Sequence, residues 1–392
     1  MSVCGACAGV QFTPFFRARE WSVSGHYVST PTKPESPVAI ELEACRCCGL
    51  IRQAPDRLVP LNYDQIVRGT AKQIPDYAAR IISSLSEYGV AKDDLVVEVG
   101  ANDGTFLKEL RNSGYRNLLG IEPSTQLAET AASSGFTVLN DYFGRRLAQQ
   151  ILASHGPARA VICRHTLEHV PDICELASGI ADVLALGGVS FVEVPDTDWV
   201  ITQLFAHEIW DEHVSYFRPQ SLARLLERAG LQPVRLERVR FRDTRNLLCW
   251  SVRQPTAPLL RSLIEDEATL TDVDHFQARW DAFSGLLRAR IAAAPRPIIG
   301  IGASHIQLNF LNFTGLDDID VLIDDDSAKA GRFALLAKQV PIRTTADVVT
   351  NTRKGTLLKT AFPYPDWQAR ICASLVPYGV GSVEPYDLVQ AI

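Results

Sequence analysis

Nine cysteines occur among the 392 residues, and five of them fall within the first 48. Cys4-Gly5-Ala6-Cys7 and Cys45-Arg46-Cys47-Cys48 form two C-x-x-C pairs. Two short loops that each offer two sulfurs suit a tetrahedral zinc ion. Disulfides conflict with the cytoplasmic location expected below. A redox C-x-x-C would normally follow a strand and open a helix. The spacing therefore predicts a structural Zn2+ held by Cys4, Cys7, Cys45 and Cys48, with no position open to substrate. Cys47 is left over and is expected to be a plain buried thiol. So small a module buries little surface, and the metal would supply much of its folding energy. Cys163, Cys174, Cys249 and Cys372 are expected as buried core thiols.

The second chemical motif is Glu98-Val99-Gly100-Ala101-Asn102-Asp103-Gly104, which follows a short apolar run. Glycines after a buried strand let the backbone turn tightly and approach a ligand. The dinucleotide spacing G-x-G-x-x-G is absent. An acid, Glu98, stands before Gly100 and Gly104 instead. S-adenosylmethionine (SAM) has no pyrophosphate and carries a cationic amino-acid end, which a carboxylate suits better than a phosphate does. A second acid, Glu122, ends the next strand in Gly120-Ile121-Glu122-Pro123. There it can accept ribose hydroxyls. Two acids at consecutive strand ends, with glycines in the first turn, point to SAM as cofactor.

Five of the eight histidines lie between residues 155 and 213, which favours proton handling there. His165 and His169 are four residues apart in Arg164-His165-Thr166-Leu167-Glu168-His169, as are Glu168 and Asp172. On a helical turn the two histidines would share a face, but no third metal ligand is evident beside them. Further on, Trp210-Asp211-Glu212-His213-Val214-Ser215-Tyr216-Phe217 places acids against an imidazole between aromatics. A neighbouring carboxylate can orient an imidazole and raise its basicity, giving a general base. A polar loop with inward-packed Tyr216 and Phe217 is the plainer alternative.

The elements that would hold these groups alternate. An amphipathic helix is expected over 72–88, with Ile74, Tyr77, Ile81, Leu85 and Tyr88 on one face. Strands at Asp94–Gly100, Leu118–Glu122, Phe136–Leu139, Ala160–Arg164 and Gly188–Val194 are separated by helical segments. That rhythm implies βαβ units in a doubly wound sheet. Pro233–Arg240 and Leu247–Val252 could form an antiparallel pair closing it. Leu259 to Ala294 reads as one long helical stretch in two segments, and a second βα region begins at Ile298. The chain is 46% hydrophobic with a net charge of −6, which excludes a disordered chain and gives no global pull toward nucleic acid or anionic membrane. No apolar run approaches the ~20 residues of a membrane helix, and the opening residues show no basic-then-apolar signal. A soluble cytoplasmic protein is expected.

Taken in order, the cysteine pairs, Glu-Val-Gly-Ala-Asn-Asp-Gly, Leu-Glu-His-Val-Pro-Asp, Glu-His-Val-Ser-Tyr-Phe and the second α/β region resemble the three-domain sugar C-methyltransferase family over nearly the whole chain. That family methylates C3 of deoxysugar nucleotides in natural-product and cell-envelope biosynthesis. The resemblance implies an α/β fold: a zinc-binding domain (1–70), a Rossmann-like SAM-binding domain (71–257), and a helical connector with a C-terminal Rossmann-like substrate domain (258–392). It implies Gly100, Asn102 and Glu122 on SAM, with Glu98, Gly104 and His165 alongside. It makes His213 the general base, Glu212 its neighbour and His169 a residue beside a nucleotide-sugar substrate. Trp210, Asp211 and Tyr216 would also face that substrate. No nucleic acid or membrane partner is implied.

This chain departs from the family at several positions. Many members read Tyr-His-Glu-His where Trp210-Asp211-Glu212-His213 stands, and asparagine where His165 stands. Gly300-Ile301-Gly302-Ala303-Ser304-His305 lacks the usual basic-glycine pair after it, and Ala361-Phe362-Pro363-Tyr364 replaces an alanine-tryptophan-asparagine step. The substrate pocket is therefore expected to differ from that of the best-known members. N- or O-methylation of another small metabolite, or SAM binding without turnover, are the alternatives.

Overall fold

The computed structural model describes residues 3–18, 27–30, 39–54, 78–241, 244–254, 265–336, 338–359 and 365–391. Ile74, Tyr77, residues 31–38, residues 259–264 and Ala361–Tyr364 lie outside them. The N-terminal part contributes β1 (Phe12–Arg17), β2 (Tyr27–Val28), β3 (Glu41–Cys45) and β4 (Ile51–Gln53). The central part runs α1 (Ala78–Glu87), β5 (Val96–Val99), α2 (Thr105–Asn112), β6 (Leu118–Ile121), α3 (Thr125–Ser133), β7 (Thr137–Leu139), α4 (Arg145–His155) and β8 (Ala158–Arg164). It continues with α5 (Ile173–Val183), β9 (Leu184–Pro195), α6 (Thr197–Gln203), β10 (Ser215–Tyr216), α7 (Pro219–Arg228), β11 (Leu231–Phe241) and β12 (Thr244–Arg253).

The central sheet has the order β11-β12-β9-β8-β5-β6-β7. Strands β5 to β9 are parallel, and β11 and β12 close the sheet as the expected antiparallel pair. Strand order reverses at β5, whose neighbours are β6 on one side and β8 on the other. In such sheets the crevice outside the carboxyl ends at that switch point is where ligands bind. The buried residues of β5, Val96, Val97, Glu98 and Val99, fit a strand covered on both faces.

The remainder begins with α8 (Leu270–Ala292). Thr269 and Asp272 form a reciprocal capping box that fixes its first turn. Then come β13 (Ile298–Ile301), α9 (His305–Thr314), β14 (Val321–Ile323), β15 (Phe333–Leu335), β16 (Gln339–Arg343), α10 (Thr345–Asn351), β17 (Gly355–Leu358), α11 (Pro365–Leu375) and β18 (Val380–Val383). They form a second α/β sheet, β18-β17-β13-β14-β16-β15-β2.

The three sheets exchange strands. β2 comes from the N-terminal part and pairs with β15 of the last sheet. β10 comes from the central part and pairs with β4 in the four-stranded sheet β1-β3-β4-β10. The cores follow suit. Cys4, Ala6, Cys45, Cys48 and Leu50 pack with the central domain, whereas Phe15 and Phe16 pack on Phe276 of α8. No helix among the described residues is long and apolar enough to cross a membrane.

A buried ion pair ties the layers together. Arg218, 1% exposed, holds Asp198 at 2.5 Å and Asp266 at 3.3 Å, and donates to the Ala268 carbonyl. Removing one partner of such a pair leaves the other charge uncompensated. Arg218→Ala is expected to lower stability by about 3–5 kcal/mol, read as an earlier midpoint in denaturant unfolding.

Candidate active site

The glycine turn after β5 is shaped for close approach. Gly100 has φ +76°, and a Cβ there would lie 2.1 Å from Thr166 Oγ1. Asn102 also has a left-handed backbone, φ +51°. The N–H groups of Asn102 and Ser124 each donate to the Glu122 carboxylate at 2.9 Å. Two backbone donors fix this carboxylate at the mouth of the switch point and leave lone pairs for a ligand hydroxyl. Burial pushes its pKa upward against those hydrogen bonds.

A cavity of about 970 Å³ opens here. Gly100, Asn102 and Glu122 line one end, His165, His169, Glu212 and His213 the middle, and Trp210, Tyr216 and His305 also border it. It therefore runs from the carboxyl edge of the central sheet to the N-terminus of α9. Trp210 stacks on His305, with ring centroids 4.4 Å apart, and Asn309 donates to the Ile209 carbonyl at 2.9 Å.

Three expected site residues do not line the cavity. Glu98 is 3% exposed beneath the turn, its Oε2 without a hydrogen-bond partner among the described residues. Burial pushes its pKa up to about 8, opposed by Arg164 and reinforced by Glu122 and Asp103. It is thus poorly placed to meet a ligand cation as a carboxylate. Gly104 serves packing: it opens α2 with φ +79°, and a Cβ would lie 3.0 Å from that of Ala131. Asp211 is 1% exposed, turned into the protein beneath its loop. Tyr216 does line the cavity, but its hydroxyl accepts from Trp210 N–H at 3.0 Å and donates to the Trp210 carbonyl at 2.8 Å. Its polar end holds the loop.

Basicity is distributed differently from the sequence expectation. His165, in left-handed conformation, lies with Nδ1 3.3 Å from Glu168 and Nε2 3.2 Å from Glu193. Burial alone would lower its pKa, but the two carboxylates outweigh it and raise it to about 10. His213 was expected to gain basicity from its acidic neighbours. Instead burial, with His169, His165 and His305 nearby, holds it well below the usual imidazole value. It is a neutral imidazole near pH 7. His165 and His169 do not share a helical face. Leu167–His169 is a short 3-10 turn, and His169 turns to His213, with ring centroids 4.7 Å apart.

The loop carrying His213 is held from the N-terminal part. Gln53 Nε2 donates to the carbonyls of Asp211 and His213 at 2.9 and 3.0 Å, and Gln53 N–H donates to the Val214 carbonyl at 2.9 Å. Spacing gave no hint of Gln53, because its role depends on the pairing of β4 with β10. Asn246, which donates to Glu193 at 3.0 Å, was also missed, as was the place of His305 at the cavity.

The four cysteine sulfurs lie within 4.8 Å of one another. Cys4–Cys48 and Cys7–Cys45 are each 3.6 Å apart. Four sulfurs at the zinc bond length would stand about 3.8 Å apart in a tetrahedron, whereas a disulfide needs about 2.05 Å. The donor set fits one metal ion. Cys47 is exposed, contrary to expectation, and Cys174 and Cys372 are only partly buried, whereas Cys163 and Cys249 lie in the core.

Comparison with known proteins bears on the central part. A protein-family model described as a methyltransferase domain matches residues 70–236. The chain is 32% identical over 203 residues to the C-methyltransferase NovU of Streptomyces niveus. That alignment covers 51% of this chain and 48% of NovU, so the chain spans about half the length of this curated relative. Among solved structures, magnesium protoporphyrin IX methyltransferase of Synechocystis PCC 6803 with bound SAM is 16% identical. It has a TM-score of 0.35 and covers 45% of this chain and 78% of that one. An S-adenosylmethionine-dependent methyltransferase of Clostridium acetobutylicum is 11% identical with a TM-score of 0.37, covering 48% and 95%. The central sheet is the part of the chain that the methyltransferase-domain model matches.

Losing the Gln53 amide would leave two buried carbonyls unpaired, at about 1–3 kcal/mol each. Gln53→Ala is expected to speed amide hydrogen exchange across residues 209–214 while leaving β5, β8 and β9 protected, as read by mass spectrometry.

Proposed function

We propose that the protein is a SAM-dependent C-methyltransferase acting on a nucleotide-linked 4-keto deoxysugar, with C3 as the methylated carbon. The observation that carries this reading is the single cavity that joins the Gly100–Glu122 cradle to His213 and on to His305 of the last domain. It has room for a cofactor and an acceptor side by side. The matched methyltransferase domain and the similarity to a C-methyltransferase support the reaction class.

Gly100 and Asn102 offer backbone close to the cofactor, and Glu122 offers carboxylate oxygens to ribose hydroxyls. Bound SAM supplies an electrophilic methyl on a sulfonium. A 4-keto group acidifies the neighbouring C3–H. His213, neutral and buried, has a lone pair to take that proton, which leaves the C–H electron pair delocalised as an enolate; C3 would then bond the methyl as the methyl–sulfur bond breaks and the neutral thioether leaves. The proton then leaves from the His213 imidazolium to solvent. Trp210 and His305 wall the acceptor side, and excluding water keeps the enolate from being reprotonated. The chain's contribution is a base and an alignment of two reactants. We assign Zn2+ to Cys4, Cys7, Cys45 and Cys48 as a structural ion.

The test is incubation with methyl-labelled SAM and a panel of nucleotide 4-keto sugars, the product read by mass and NMR. Label on C3 of a keto sugar is expected, and label on nitrogen or oxygen alone would contradict the proposal. Gly100→Ala is expected to abolish SAM binding in calorimetry, since the new methyl meets Thr166 Oγ1. His213→Ala is expected to retain SAM affinity and to slow methyl transfer by roughly 10²–10⁴-fold.

A further inference from the structure

Among the described residues, the histidine cluster contains a second group able to hold a metal. Glu168, His169 and His213 each present a ligand atom, and those atoms lie within 4.8 Å of one another. The sequence suggested His165 with His169 and no third ligand. In the structure His165 bridges Glu168 and Glu193, and it is Glu168 and His213 that stand with His169.

Each donor is prepared by what surrounds it. The Glu212 carbonyl lies 3.0 Å from His169 Nδ1. A carbonyl can only accept, so Nδ1 carries the proton and Nε2 keeps its lone pair. This is the outer-shell arrangement that sets the tautomer of metal-binding histidines. Glu168 is 1% exposed; its Oε1 faces His165, and its Oε2 has no hydrogen-bond partner among the described residues. A buried carboxylate oxygen left in that state is costly unless something cationic or donating meets it. The two segments are fixed to each other, since Val214 N–H donates to the Glu168 carbonyl at 2.8 Å and Gln53 binds the His213 carbonyl.

Two imidazoles and one carboxylate, bordering a cavity that leaves a coordination position open, match the donor set of open zinc sites. We propose that Glu168, His169 and His213 form a second, open metal site for a divalent first-row ion of the zinc type. Such an ion would occupy the His213 lone pair. If His213 is the base proposed above, the bound ion therefore inhibits methyl transfer. The metal site itself does not depend on that reading.

The probe is Co2+ or Zn2+ added to protein whose cysteine site is already filled, at one metal per chain. A second equivalent is expected to bind. With Co2+ it should show weak visible d–d bands without the thiolate charge-transfer absorption of the cysteine site. Glu168→Gln and His169→Ala, each checked for unchanged SAM binding, are expected to return the stoichiometry to one. Failure of a second ion to bind, or binding that both variants leave unchanged, would overturn the site. Methyl transfer should fall as the second equivalent binds. Binding without inhibition would leave the metal site standing and remove the base role of His213.

Discussion

One buried amide organises the site. Gln53, 2% exposed, uses its side-chain nitrogen on two carbonyls of the 211–213 loop and its backbone on a third at Val214. Each bond is worth only about 1 kcal/mol net, but each buried carbonyl left unpaired would cost about 1–3 kcal/mol. The loop is therefore far more restricted with β4 beside it than without. β4 is in turn held by β3, whose last residue, Cys45, belongs to the cysteine cluster. The cysteine module thus reaches the cavity through the backbone, by fixing the loop that carries His213. Asn309 grips the same loop at Ile209 from the opposite side. Two flanking parts of the chain clamp a loop that belongs to the middle one.

Charge in the cavity follows the surroundings more than the order of residues. His165 and His213 both have acidic neighbours in sequence, yet one is driven toward imidazolium and the other kept neutral. Burial lowers both, and only at His165 do carboxylates hydrogen-bond the ring and outweigh it. Glu193 and Glu168 meet both nitrogens of His165, whereas His213 is ringed by other histidines. Arg164 and Asn246 complete the polar network by binding Glu193 at 2.7 and 3.0 Å, so this fully buried carboxylate is satisfied on several sides. Asp196 nearby is pushed up to about 6, chiefly by burial, with Arg245 opposing.

The alternation of strands and helices was legible because each buried strand is a short apolar run, with β5 and β6 followed at once by Gly100 and Glu122, and local pattern decides that. The cysteine cluster was legible for a similar reason: two knuckles carry their own geometry. The Gly100 turn and the Glu122 carboxylate were found where the switch point requires them. Glu98 was misplaced because position at a strand end does not tell which face a side chain takes. The exchanged strands β2 and β10, the role of Gln53 and the division of charge between His165 and His213 depend on contacts distant in sequence. Spacing carries no record of those. The start of α8 at Leu270 was readable in principle from its Thr-x-x-Asp cap.

The N-terminal module holds the loop of His213 through Gln53 yet lends no residue to the wall of the cavity. The direct measurement is metal removal from the cysteine site in protein that stays folded, with SAM affinity and methyl-transfer rate followed on the same sample. Unchanged SAM affinity is expected, with a transfer rate lower by on the order of 10- to 100-fold, as small misplacements of a reacting group produce. Metal-free, folded protein that transfers methyl at the full rate would contradict it.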